Sequence, residues 1–300
     1  MKRVVLSLAL AAVTAGGGAA RGATSPSSSE ETPQPSRKSK SKSKAAPKAT
    51  GAPSLPPEKI ETLRLALVGP DDTAAIEAAA TLGSSGTAAA VEPLLEVLAA
   101  GAAPARLQAA LDALGKLGDA RVLRADQTTL DALTLYAGHR SPDVRRRAVK
   151  VLGSVDDPRA TATLLERLGD AASDVRAAAA QALAARHESK AARRMFALLA
   201  MGDAGVAGPI AQLATPDMVP RIAELSGTID DGVVADALGD YVKRADVPDK
   251  LRIDVLRTIG GLQGAVATTA LVDYVASVPA KDDRPSKREA QKLLDQRGSQ

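Results

Sequence analysis

The sequence predicts an all-α fold, a solenoid of stacked antiparallel helix pairs spanning residues 58–300. Three observations predict it. Apolar residues recur at helical spacing, a ten-residue pattern returns 31 residues later, and aromatics make up 1% of the chain with no tryptophan. A globule of 300 residues usually fills its centre with large rings, because each buries so much area. Thin layers of paired helices close over Ala, Leu and Val instead. The Ile-, Val-, Tyr- and Thr-rich runs that would mark a sheet are missing.

The first element is an export signal. Lys2 and Arg3 precede an apolar run from Val4 to Ala15 and the small residues Gly16 to Ala20, the layout of a secretory signal peptide. The run is shorter than the roughly 20 residues a spanning helix needs, so no transmembrane helix is expected in the mature form. Cleavage after Ala15 and after Ala20 both fit, and residues 1–23 hold the signal and its flank.

Residues 24–57 are Ser, Pro, Lys, Ala and Thr, with too little apolar surface to offset the entropy of ordering. This linker concentrates the positive charge. Residues 1–57 carry nine Lys or Arg against two acids, a net of +7, whereas the remainder carries 30 bases and 33 acids, a net of −3. A nucleic-acid footprint spread over the folded body is therefore not expected. Arg37, Lys38, Lys40, Lys42, Lys44 and Lys48 suit an anionic surface of lipid headgroups, wall polymer or nucleic acid, but the first reading of the segment is a solvated spacer.

The repeat follows. Asp143-Val144-Arg145 with Ala148 and Leu152 matches Asp174-Val175-Arg176 with Ala179 and Leu183, residue for residue. Val144, Ala148, Val151 and Leu152 form one stripe of a helix, and Val175, Ala179, Ala182 and Leu183 repeat it. Partner helices carry Ala160, Leu164 and Leu168, then Ala191, Met195, Leu198 and Leu199. Ser141-Pro142, Asp157-Pro158 and Thr215-Pro216 each set a capping oxygen before a proline, a helix start. Gly83, Gly115 and Gly153 are read as helix ends. Neither helix of a pair buries its stripe alone, so units must stack. Between Ala204 and Pro248 the register slips: Leu213, Leu238 and Ile259 lie only 25 and 21 residues apart, and a shortened or fused unit is expected.

These motifs resemble the HEAT-repeat family, in particular the short HEAT-like units first named from phycobilin lyases. The resemblance implies a right-handed superhelical solenoid. It also implies that Arg145 and Arg176, with Asp143 and Asp174, form a structural ladder bridging successive units. It implies no activity, because scaffolds, lyases and DNA-repair enzymes share the fold.

Catalytic chemistry finds little footing. There is no cysteine, hence no thiolate, disulfide or N-terminal lipid anchor, and the histidines are His139 and His187, each read as a helix-end or loop residue. His187-Glu188 is a single His-Glu dipeptide, where HEAT-like hydroxylases need several to hold two irons. Gly202 to Gly208 has neither a preceding strand nor a following lysine, and reads as an inter-helix turn. No catalytic residue, cofactor or metal site is assigned.

The second helices are expected on the concave face, where Arg159, Lys190, Arg194 and Arg221 would form a row for an acidic peptide or protein; an ordinary solvated face is the alternative. The sequence thus points to a non-enzymatic protein–protein interaction scaffold or adaptor in the bacterial cell envelope, periplasmic or secreted. A lyase-like enzyme or enzyme accessory, and anionic-polymer binding through the linker, are the rival readings. The export signal has a direct consequence. Intact-mass measurement of protein from the native host should give a chain beginning at Gly16 or Arg21, and a cytosolic chain retaining Met1 would contradict it.

Overall fold

The computed structural model describes residues 55–298, within one unit that spans Ala49–Gln300. The expected signal peptide and basic linker, with Arg37, Lys38, Lys40, Lys42, Lys44 and Lys48, lie outside the described residues. Fifteen α-helices follow one another among the described residues: α1 (Pro57–Val68), α2 (Asp72–Ser84), α3 (Val91–Ala99), α4 (Pro104–Asp119), α5 (Gln127–Ala137), α6 (Pro142–Gly153), α7 (Pro158–Arg167), α8 (Ser173–Ala185), α9 (Ala192–Ala200), α10 (Ala207–Leu213), α11 (Met218–Ala223), α12 (Asp231–Lys243), α13 (Asp249–Gly261), α14 (Ala265–Ser277) and α15 (Pro285–Gly298). No strand is present among them.

The helices sort into two layers. Each even-numbered helix packs on the next even-numbered one, and the odd-numbered helices cover them from one side. The stripes read from sequence are the interior: Val144, Ala148, Leu152, Val175, Ala179 and Leu183 are each fully buried. The partner stripes Ala160, Leu164, Leu168, Met195 and Leu199 are buried as well.

The even layer is the tighter one, and its sequence explains why. A Cβ on Gly83 would lie 2.6 Å from the Ala113 Cα, one on Gly118 2.8 Å from the Ser154 Cβ, and one on Gly153 2.8 Å from the Ala182 Cβ. Backbones of neighbouring helices approach to a distance only glycine against a small residue permits. From α3 to α11 the odd helices touch their own layer mates far less. α2, α4, α6 and α8 thus form the closely packed layer, and the second helices α7 and α9 lie in the looser one. Of the glycines read as helix ends, Gly153 closes α6 and Gly83 is the last but one residue of α2, and both also make the close contact, whereas Gly115 lies inside α4.

The irregular region keeps the alternation. α10 and α11 have 7 and 6 residues, so the spacing shrinks while both layers continue. Leu213 and Leu238 belong to successive helices of the even layer, and Ile259 to α13 of the other, which is why their spacing misled. Of the three expected caps only Asp157 acts, accepting from Arg159 N at 2.7 Å. Ser141 makes no cap bond, and α11 starts beyond Pro216.

Arg145 and Arg176 do bridge units, with other partners than expected. The Arg145 Nε and Nη2 donate to the two Asp170 carboxylate oxygens at 2.8 and 2.7 Å, a fork matched to its acceptor. The Arg176 Nε donates to Asp203 at 2.6 Å, while its Nη1 donates to the Asp170 backbone carbonyl at 2.9 Å. Asp170 thereby joins two rungs. Asp143 and Asp174 instead sit in first helical turns, facing solvent, where a carboxylate complements the helix dipole. Among the described residues, Asp143 pairs with Arg146 and Arg147 of its own helix.

Two variants test this packing. Leu183→Ala should lower stability by roughly 2–5 kcal/mol in urea melts, the usual cost of a large-to-small change in a core. Asp170→Ala should cost about 3 kcal/mol at neutral pH, because Arg145, with its side chain 14% exposed, loses its counter-charge. Burial alone would raise the Asp170 carboxyl, but the Arg145 fork, the Ala172 N–H and the Arg145 and Arg167 charges carry it below its ordinary value. Its stabilisation is therefore complete above the unfolded value, near ~3.9, and is lost as pH falls through the lower folded one. The gap between Asp170→Ala and the parent should narrow in melts below about pH 4.

Candidate functional surfaces

Two surfaces stand out on the described residues, one on each layer. The first is a groove of about 450 Å³ across α4, α6 and α8 on the closely packed layer. Its floor is small because the helices beneath it touch: Gly115, Gly153, Ala178 and Ala182 carry little side chain above the backbone. Asp112, Lys116, Asp119, Arg147, Lys150 and Gln181 form the rim. Arg147 is tied to Asp112 by a 3.1 Å hydrogen bond, whereas Lys116 and Lys150 make no ion pair among the described residues. The floor continues past Lys116 to Ile76, Ala80 and Ala109, a further recess of about 480 Å³. Farther along the same layer, Asp236, Asp240 and Asp273 gather around Lys243. The Asp236 carboxyl is raised there by the protein around it and by Asp240 and Asp230, against the pull of Lys243.

The second surface holds the residues read from sequence as a row. The structure places Arg159 on α7, Lys190 just before α9, Arg194 on α9 and Arg221 on α11, all in the odd layer and away from the groove. Arg159 is spent locally, with its Nη1 on Gln127 at 2.6 Å and its Nε on Asp157 at 3.3 Å. Arg194 donates to the Leu165 carbonyl at 2.8 Å, and Arg221 lies 4.4 Å above the Phe196 ring. Beside Arg159 on α7, Thr163 is buried, and Arg167 donates to the Ala137 carbonyl.

A set of arginines escaped the sequence reading. Arg186 at the end of α8 donates to the carbonyls of Leu152 and Val155 beyond α6. Arg244 after α12 does the same for Ala211 and Ala214 at the end of α10, and Arg297 for Gly260 and Leu262 at the end of α13. Each donates to carbonyls at the helix C-terminus of the preceding unit, where the last acceptors have no N–H donor within their own helix. The signal was a lone arginine closing a helix, some 30 residues after another helix end. His139 lies in the loop before α6, its Nδ1 accepting from Ser141 N at 3.1 Å, and His187 follows α8 at φ +53°. No group of three His, Cys, Asp or Glu able to hold a metal occurs among the described residues.

Comparison with known proteins fits this geometry. The family model for HEAT repeats matches residues 129–215. No curated protein sequence matches the chain. Among solved structures, the karyopherin Kap121p bound to Nup53p is 14% identical at a TM-score of 0.52; the match covers 79% of this chain and 29% of that one. The complex of CpcE and CpcF of phycocyanin lyase from Nostoc sp. PCC7120 is 20% identical at 0.44, covering 84% and 97%. A designed armadillo repeat protein in complex with the peptide (KR)4 is 16% identical at 0.32, covering 79% and 98%. The chain spans less than a third of the Kap121p length, and at that identity the likeness concerns fold alone. In its matched residues by sequence, and through α1–α15 by fold, the chain resembles the HEAT-repeat solenoids.

Proposed function

We propose that this chain is a non-enzymatic interaction scaffold of the bacterial cell envelope, exported and held off the envelope surface by its basic linker, which grips a protein segment in the groove of α4, α6 and α8. The groove carries the reading. It is open along its length and floored by Gly and Ala, so main chain of a partner can lie close to the helices. Its rim supplies hydrogen-bonding and charged groups of both signs, the arrangement that orients a bound chain. Kap121p, similar in fold, is described bound to Nup53p, to Ste12p and to the extreme C-terminus of the phosphatase Cdc14p, which lends support to partner binding by such a stack. Residues 1–23 as signal, 24–57 as tether and 58–300 as binding body complete the proposal.

Filling the groove tests it. A Cβ on Gly115 meets only a Val151 methyl at 3.9 Å, and Ala185 is exposed at the groove edge, so Gly115→Leu and Ala185→Trp add bulk without touching the core. A photo-crosslinker at Gln181 should label a partner in the native host's envelope, and the double variant should reduce that labelling at least tenfold while melting like the parent. Undiminished labelling would remove the groove from the proposal.

A further inference from the structure

The odd layer carries an uncompensated basic face that goes beyond the groove reading. Most arginines of the described residues meet a carboxylate: Arg64, Arg106, Arg145, Arg147, Arg176 and Arg257 all form cross-unit ion pairs. Around α9 this stops. Residues 189–202 contain Lys190, Arg193 and Arg194 and no acid, and none of these three, nor Arg221 of α11, makes an ion pair among the described residues. Asp217, whose carboxylate feels the Arg221 charge, is held down first by the Thr215 hydroxyl and its own N–H.

These cations are positioned all the same, by neutral groups. Arg194 reaches toward α7, where its Nη1 donates to the Leu165 carbonyl at 2.8 Å. Its Nη2 lies 3.1 Å from where a Cβ on Gly169 would stand, so the missing side chain gives the guanidinium its room. Arg221 reaches from α11 over the Phe196 ring, and Arg193 stands exposed on α9 between them. A guanidinium fixed by a carbonyl or a ring keeps its full charge and its remaining donors, and it loses little side-chain entropy on meeting an anion. An ion pair of the ladder type would have neutralised it. Ala197, also exposed on α9, leaves the space among these cations low.

We propose that Arg193, Arg194 and Arg221 form a second docking surface, for an acidic segment of a protein partner whose carboxylates take the forks across α7, α9 and α11. Charge complementarity selects the occupant, and the fixed, forked donors favour planar carboxylates over a diffuse anionic layer. The site lies on the layer opposite the groove, so the two surfaces are separately testable.

The test uses the full mature chain with Arg37, Lys38, Lys40, Lys42, Lys44 and Lys48 changed to Gln, so that the linker contributes no charge. Fluorescein-labelled octaglutamate is titrated at about 0.1 M salt, where distant charges are screened, and followed by anisotropy. Binding should fall at least tenfold in Arg194→Gln/Arg221→Gln and stay within twofold of the parent in Lys116→Gln/Lys150→Gln. Two variants that keep every charge, Gly169→Ala and Phe196→Leu, should each weaken binding several-fold by releasing Arg194 or Arg221, and thermal melts verify that they fold. Equal losses in the groove and α9 variants would reduce the effect to net charge and overturn the proposal, as would no measurable binding by the parent. Tighter binding to phosphatidylglycerol vesicles than to the peptide, with the same arginine dependence, would assign the face to a lipid surface instead. Groove variants that lose crosslinking while octaglutamate still binds leave this proposal standing apart from the groove reading.

Discussion

Close approach between the even-numbered helices is the constraint on which the rest depends. At Gly83, Gly118 and Gly153 one backbone meets the next across the space a Cβ would fill. That contact sets the small-residue composition of the layer. It also sets the depth of the groove, because a floor built from Gly and Ala cannot rise between the rim residues. Dispersion contacts at such short range are individually weak and collectively large, so the array reaches density without aromatic rings. The scarcity of Trp, Phe and Tyr is a consequence of this geometry rather than a separate property.

Charge is used in two ways along the same stack. Where Arg145 and Arg176 meet Asp170 and Asp203, burial makes an unpaired ion costly, and the pair ties adjacent units in register. Where Arg186, Arg244 and Arg297 meet carbonyls, one guanidinium satisfies several helix-end acceptors of the preceding unit. Arg186 and Arg244 also pair with Asp156 and Asp246. The face around α9 differs, since its arginines are oriented without an ion pair among the described residues.

The layout of the fold was legible in the sequence because a buried stripe imposes a period, and Leu152, Leu183 and Leu199 fell where the period put them. The ladder was only half legible. Arg145 announced itself in a repeated motif, but its acceptor Asp170 sits in a loop 25 residues on, where no periodicity marks it. Which layer packs more closely was not legible, because an apolar stripe is the same on either layer. The distinguishing signal was present, in Gly83, Gly118 and Gly153 spaced 35 residues apart, but reading it requires knowing that glycines at helix ends also face a neighbouring helix. The shift after Ala204 had a simple cause: α10 and α11 are short, and a period counted in residues fails when helix length changes while the layers persist.

The same short pair gives the array its mechanics. In a stack where each unit touches only its neighbours, stiffness adds like that of springs in series, and the softest link governs the compliance of the whole. Helices of 7 and 6 residues offer less than half the lateral area of the 16-residue α4 to bind one block to the next. That smaller area lies immediately beside the basic face of α9 and α11, so among the described residues Arg221 is held by the shortest α-helix of the stack and Arg194 by the helix before it in the same layer.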